Sequence, residues 1–117
     1  SGMEAAIKLL SLDDKPTAIF AANDDMAAAV ISIAQKQGIN IPSELSVVGF
    51  DDTQLATIVW PNISTVKQPI NEMAELAITL LASGQYNDLS NVKSLDLRHI
   101  LDFELIERES SSTNKNN

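Results

Sequence analysis

Residues 17–27 read Thr17-Ala18-Ile19-Phe20-Ala21-Ala22-Asn23-Asp24-Asp25-Met26-Ala27. An apolar run without polar alternation stops at an asparagine and two aspartates, then turns apolar again. A short run of that kind suits a strand covered on both faces, as in a parallel sheet. Asn23 is a favoured N-cap residue. Asp24 and Asp25 then fall in the first turn of a helix, where the macrodipole favours negative charge. The stretch therefore predicts a strand feeding directly into a helix. That helix runs to about Gln37, and Gly38 is placed to end it.

The neighbouring segments extend the pattern. Leu45 to Phe50 (LSVVGF) predicts a second buried strand, entered through the turn Pro42-Ser43-Glu44 and ending in Asp51-Asp52. Upstream, Met3, Ala6, Ile7 and Leu10 follow the i, i+3, i+4, i+7 spacing of an amphipathic helix over residues 2–12. Ser1 and Glu4 stand at capping-box spacing. Downstream, residues 53–63 have no clear period and read as loop with one helical turn. Ser64 to Gln68 reads as extended, and Pro69 closes it. Asn71 opens a helix over 71–83 with Met73, Leu76, Ala77, Leu80 and Leu81 on one stripe, ended by Gly84. Val92, Leu95 and Leu97, then Leu101, Phe103 and Leu105, predict two short strands. Ser110 to Asn117 is polar and low in complexity, as in a disordered tail. The order predicts an α/β fold with a mainly parallel sheet flanked by helices. Ligands of such sheets bind beyond the carboxyl ends of the strands. Asn23, Asp24, Asp51, Asp52 and Gln68 belong there.

Composition narrows the chemistry. The chain has 117 residues, no cysteine, one histidine, and a net charge of −8. That is at most one domain's worth of chain. No run approaches the roughly 18 apolar residues of a membrane span, and no basic segment followed by an apolar one opens the chain as in a signal peptide. Disulfides and thiolate–metal sites are excluded. The acidic balance argues against this chain alone gripping phosphate backbones, an affinity that comes mostly from Lys and Arg. Paired carboxylates at Asp51-Asp52 could serve acid–base chemistry, a metal or a polyol. Acid–base catalysis needs a tuned partner within reach, and His99 is isolated in the C-terminal strands. No further ligands at matched spacing suggest a metal, and no cofactor is expected. Hydroxyl binding asks only for a fixed acceptor.

Several motifs in order resemble the family of sugar-responsive bacterial regulators typified by the lactose and galactose repressors. They are Ala22-Asn23-Asp24-Asp25-Met26-Ala27, Gly38-Ile39-Asn40-Ile41-Pro42, Ser46 to Asp52, Ser64-Thr65-Val66-Lys67-Gln68-Pro69, and Leu105-Ile106-Glu107-Arg108-Glu109-Ser110. Ala29 stands where the family often has glycine, and Ser64 replaces a threonine. The resemblance reaches from the start to Ser110. It implies the C-terminal part of a two-lobed, periplasmic-binding-protein-like effector domain. Residues 1–63 would be the C-terminal lobe, 64–91 the crossover and a helix of the N-terminal lobe, and 92–109 the closing strands. It also implies a cytoplasmic, non-enzymatic, homodimeric regulator with a small-molecule effector, a sugar or related metabolite. DNA would be bound only through a helix-turn-helix absent from this chain.

By this resemblance Asn23, Asp51, Gln68 and Ile70 contact the effector. For Asn23 a plain N-cap is the competing reading. A solvent-facing loop carboxylate fits Asp52 better than Asp51. Trp60 could stack on a sugar ring, although filling a loop-to-helix gap has the edge. Helix 24–37 is apolar on more than one stripe. It is either a buried helix of its own domain or, as the resemblance favours, a subunit interface through Met26, Ala27, Ala28, Val30 and Ile31. Two other functions remain: a periplasmic-type sugar-binding transport receptor and, more distantly, a hydrolase using Asp24 or Asp51.

Overall fold

The computed structural model describes residues 1–84 and 99–114. The elements follow in the order α1 (Gly2–Leu10), β1 (Ala18–Phe20), α2 (Asp24–Lys36), β2 (Ser46–Phe50), α3 (Leu55–Ile58), β3 (Ser64–Lys67), α4 (Ile70–Ala82) and β4 (Glu104–Ile106). The strands form one sheet ordered β1-β2-β3-β4. β1 and β3 both run parallel to β2, with Ile19 opposite Val47 and Gly49 opposite Thr65. The expected α/β architecture with a mainly parallel sheet is therefore present. Of the two expected closing strands, the second is reduced to β4. The first, over Val92 to Leu97, lies outside the described residues.

The chain divides into two compact units, Ser1–Lys67 with Leu105–Asn117, and Gln68–Glu104. The first unit runs on past residue 63 to Lys67. The reason is local: Ser64 to Lys67 forms β3, bonded to β2.

In the first unit α2 is the central helix. Asn23 caps it, its Oδ1 accepting from the Met26 N–H at 2.8 Å. Beyond its last turn Gly38 takes φ +73°, a conformation that glycine adopts without steric cost. Ala27, Val30, Ile31, Ile33 and Ala34 of α2 are buried with Ala6 and Leu10 of α1, Val47 of β2, and Leu45, Ala56 and Ile63. Ala27, Val30 and Ile31 thus lie inside this chain's own core. Three of the five expected interface residues have no surface left to offer a second subunit; Met26 and Ala28 are half-buried. α1 is held by the capping box of Ser1 and Glu4.

β2 alternates cleanly, with Val47 and Gly49 buried and Ser46, Val48 and Phe50 half-exposed. One face of the sheet is thus buried and the other is more open. β1 departs from expectation in the same way: Ile19 is half-buried but Ala18 and Phe20 are exposed, Phe20 to 66%. Its apolar run predicts cover on both sides. Alanine is small enough to be indifferent to either side, so Ala18, Ala21 and Ala22 concealed the alternation.

Two further expectations change. In the second unit α4 has no buried residue, and Leu81 is 72% exposed. The cover expected over Met73, Leu76, Ala77, Leu80 and Leu81 is not found among the described residues. The tail expected to be disordered from Ser110 is instead bonded into the first unit. Ser110 is fully buried. Its Oγ donates to Val47 O at 2.5 Å and accepts from Ser64 N at 2.8 Å. Its backbone carbonyl accepts from Val47 N at 2.7 Å, and its N–H donates to Asn62 O at 3.0 Å. Ser112 N donates to Ser46 Oγ at 3.1 Å. Serines that look like low-complexity filler supply hydrogen bonds that β2 needs, because buried backbone groups must be paired.

Candidate functional site

Parallel pairing brings the carboxyl ends of β1, β2 and β3 to one edge. β1 leads through Ala21 and Ala22 to Asn23 at the start of α2. β2 leads into a corner, Asp51-Asp52-Thr53, whose first two residues have φ of 104° and 56°. Positive φ is uncommon for any side-chain-bearing residue, and each such residue costs about 1–3 kcal/mol unless its surroundings over-determine it.

The surroundings of this corner do so. Asp51 N donates to Val66 O at 2.9 Å on β3. Asp52 N donates to Thr65 Oγ1 at 3.4 Å. Thr53 donates to Asp24 Oδ2 through both its N–H, at 2.7 Å, and its hydroxyl, at 3.1 Å. Asp24 Oδ1 in turn accepts from the Thr65 hydroxyl at 2.6 Å. Asp24 is fully buried. The space it occupies exists because residue 49 is glycine. A Cβ there would run into Asp24 Oδ1 and crowd the Ala27 methyl.

On the other side of the corner, Arg108 Nη2 meets Asp52 Oδ1 at 2.7 Å. Arg108 Nη1 also donates to Ile63 O at 2.9 Å, and its backbone N–H to Ser64 Oγ at 2.9 Å. Both partners of the ion pair are less than a fifth exposed. Asp52 is therefore a structural ion-pair partner, not the solvent-facing carboxylate expected of it.

The candidate residues separate accordingly. Asn23 and the exposed Asp51 both lie at the carboxyl edge of the first unit. The Asn23 cap uses Oδ1, which leaves the two Nδ2 hydrogens as what it can offer a ligand. Gln68 is half-buried and Ile70 is 56% exposed. Both belong to the second unit, where Ile70 N donates to Gln68 O at 2.9 Å. Asp24 cannot act on a substrate, being fully buried and holding three hydrogen bonds, which removes one of the two carboxylates of the hydrolase reading. Trp60 is 70% exposed and does not fill a gap; its carbonyl accepts from Gln35 Nε2 at 2.9 Å. Among the described residues no group of three or more metal-ligating side chains comes together.

One feature of the edge escaped the sequence reading. Phe20 and Phe50, the last residues of β1 and β2, meet edge to face with ring centroids 6.5 Å apart. The signal was available: each aromatic closes its strand a few residues before the polar edge, and period-2 alternation puts both on the same face of the sheet. The pair lies on the face of the sheet opposite to the one that Val47 and Gly49 turn toward α2.

A family description, the periplasmic binding protein-like domain, matches residues 1–111. The chain belongs to that family. Within it, the motifs at the sheet edge point to the lactose/galactose repressor branch, and the similar proteins agree. Catabolite control protein A of Priestia megaterium is 41% identical over 103 residues, which cover 88% of this chain and 31% of that relative. The structure of the transcriptional regulator CelR in complex with cellobiose superposes with a TM-score of 0.80 at 30% identity, over 94% of this chain and 32% of that one. A lac repressor dimer bound to operator and the anti-inducer ONPF gives 0.81 at 25% identity, over 96% of this chain and 37% of that one. The chain therefore spans about a third of the length of these proteins. As a periplasmic-binding-protein-like lobe, it has its polar edge where doubly wound folds bind ligands.

Proposed function

We propose that this chain is the effector-binding and dimerisation part of a cytoplasmic bacterial transcription regulator, and that it catalyses nothing. The observation that carries the reading is the corner at Asp51. An exposed acceptor is held in a costly backbone conformation at the same carboxyl edge of the sheet as the Asn23 cap. A rigid acceptor and a donor at one sheet edge suit the hydroxyls of a sugar or related polyol. Gln68 and Ile70, in the second unit, are the two further effector contacts that the family resemblance implies. A helix-turn-helix elsewhere in the regulator binds DNA. The effector shifts that binding because it has different affinities for two arrangements of the lobes.

A homodimer forms on the α2 side of the first unit. With Ala27, Val30 and Ile31 in the core and Met26 turned toward Gly2 of α1, the face consists of half-buried Ala28 together with Ile58 and Trp60, which are 73% and 70% exposed. The Gln35–Trp60 hydrogen bond ties that loop to α2. A transport receptor of the same fold is the second reading. The runs Ile41 to Asp52 and Leu105 to Ser110 favour the regulator.

The test is calorimetry on the full-length regulator carrying this lobe. Asp51→Ala is expected to abolish sugar binding while circular dichroism stays unchanged, since a charge-assisted hydrogen bond to a hydroxyl is lost. Wild-type affinity in that variant would overturn the site.

A further inference from the structure

Resting on the effector-site reading above, we propose that Asp24 is a positioning residue: it sets the spacing between Asn23 and Asp51 without touching the ligand. Its backbone directly follows Asn23, so its place fixes the first turn of α2 at the end of β1. Its side chain reaches the corner at the end of β2 through the Thr53 N–H and hydroxyl, and β3 through the Thr65 hydroxyl. One buried side chain therefore ties the ends of β1 and β2 to the body of β3.

Its burial excludes contact with any ligand. The molecule also makes room for it at a cost to other substitutions, because only glycine at 49 leaves the space. The tie to Thr53 lies two residues from Asp51, whose φ of 104° is the less favourable of the two left-handed values. Without the tie, residues 51–53 can relax toward extended backbone, and the Asp51 carboxyl changes its position relative to the Asn23 amide. A polyol then meets a donor and an acceptor at the wrong separation. Affinity is lost although every ligand-contacting side chain is still present, because the corner must be ordered again on binding.

The full-length regulator carrying this lobe is assayed in two ways. The first is amide hydrogen exchange without sugar. In Asp24→Ala the peptide covering residues 50–54 is expected to exchange about tenfold faster, while residues 27–34 of α2 keep their protection. Unchanged exchange at the corner overturns the proposal; so does equal loss along α2, which would mark a general structural role. The second is calorimetry with the tightest binder among glucose, galactose, lactose, sucrose and cellobiose. Asp24→Ala is expected to weaken binding about tenfold. Asp24→Asn can still accept from Thr53 N–H and donate to the Thr65 oxygen, and is expected to restore affinity to within about threefold. Loss of binding in Asp51→Ala together with wild-type binding in Asp24→Ala refutes the positioning role alone. Wild-type binding in Asp51→Ala refutes the effector site, and the exchange measurement still judges the tie. If none of the five sugars binds, exchange alone decides. If Asp24→Ala does not fold, Thr65→Val releases the same carboxyl from β3 and is read by the same criteria.

Discussion

Gly49 and Asp24 share one small volume, and that sharing can be measured. Gly49→Ala places a methyl where Asp24 Oδ1 lies. Overpacking of this kind costs about 1–3 kcal/mol, read as a lower urea midpoint at unchanged slope. In an Asp24→Ala background the same change is expected to cost much less, because its obstacle is gone. A second residue-scale expectation concerns pH. The Asn40 backbone N–H donates to Glu44 Oε2 at 2.8 Å, and the Asn40 side-chain amide reaches the same oxygen. These bonds, the backbone one foremost, hold the Glu44 carboxyl below its ordinary titration range, with Lys15 adding a smaller pull. A carboxyl whose folded value is depressed supports the fold above its unfolded value and loses that support as pH falls through the folded one. NMR titration is expected to give Glu44 a midpoint below that of a model glutamate. A midpoint at or above the model value would contradict the hydrogen bonds.

At the scale of elements, the segment after β4 holds the sheet together by side-chain hydrogen bonds. Ser110→Ala removes a donor to Val47 O and an acceptor for Ser64 N, both buried. Leaving such groups unpaired costs about 1–3 kcal/mol, so a clearly lowered melting temperature is expected. An unshifted transition would mean that the serine is dispensable. The segment also marks the limit of reading composition. Five strand and helix boundaries were legible because glycine, proline and asparagine punctuate them: Asn23, Gly38, Pro42, Pro69 and Gly84 each stand at or near an observed turn or cap. Ser110 to Ser112 were not, because a serine hydroxyl that replaces a ladder partner has the same letter as one in solvent. The inward face of α2 was ambiguous for a related reason. In Ala27, Ala28 and Ala29 only the first is buried, and identical side chains carry no information about direction. Nor could spelling alone tell Asp24 from Asp25, one fully buried and the other exposed. Only the third dimension separates them. That Asn23 and Asp51 stand at the sheet edge was legible because Asn23 caps α2 shortly after β1 and Asp51 directly follows β2.

The whole molecule carries eight more acidic than basic side chains. This chain alone is therefore not expected to shift operator DNA in a gel, at low salt or high. Salt-sensitive, sequence-specific retardation would contradict that. Self-association through the α2 side is expected to fail when charge enters its face. Ala28→Glu and Trp60→Glu should each sediment as monomers where the wild type is a dimer, and a wild type already monomeric at high concentration would dismiss the face.

Ser110 and Val47 lie 63 positions apart. A ribosome adding about 5–20 residues per second needs roughly 3–13 s to travel between them. Throughout that interval the Val47 N–H and carbonyl have emerged without their partners, and Asp52 waits for Arg108. Translation thus passes through a stage at which the sheet exists but cannot be closed. A chain halted there exposes unmatched strand edge to chaperones and proteases, whereas one carried a few residues past Ser110 seals it.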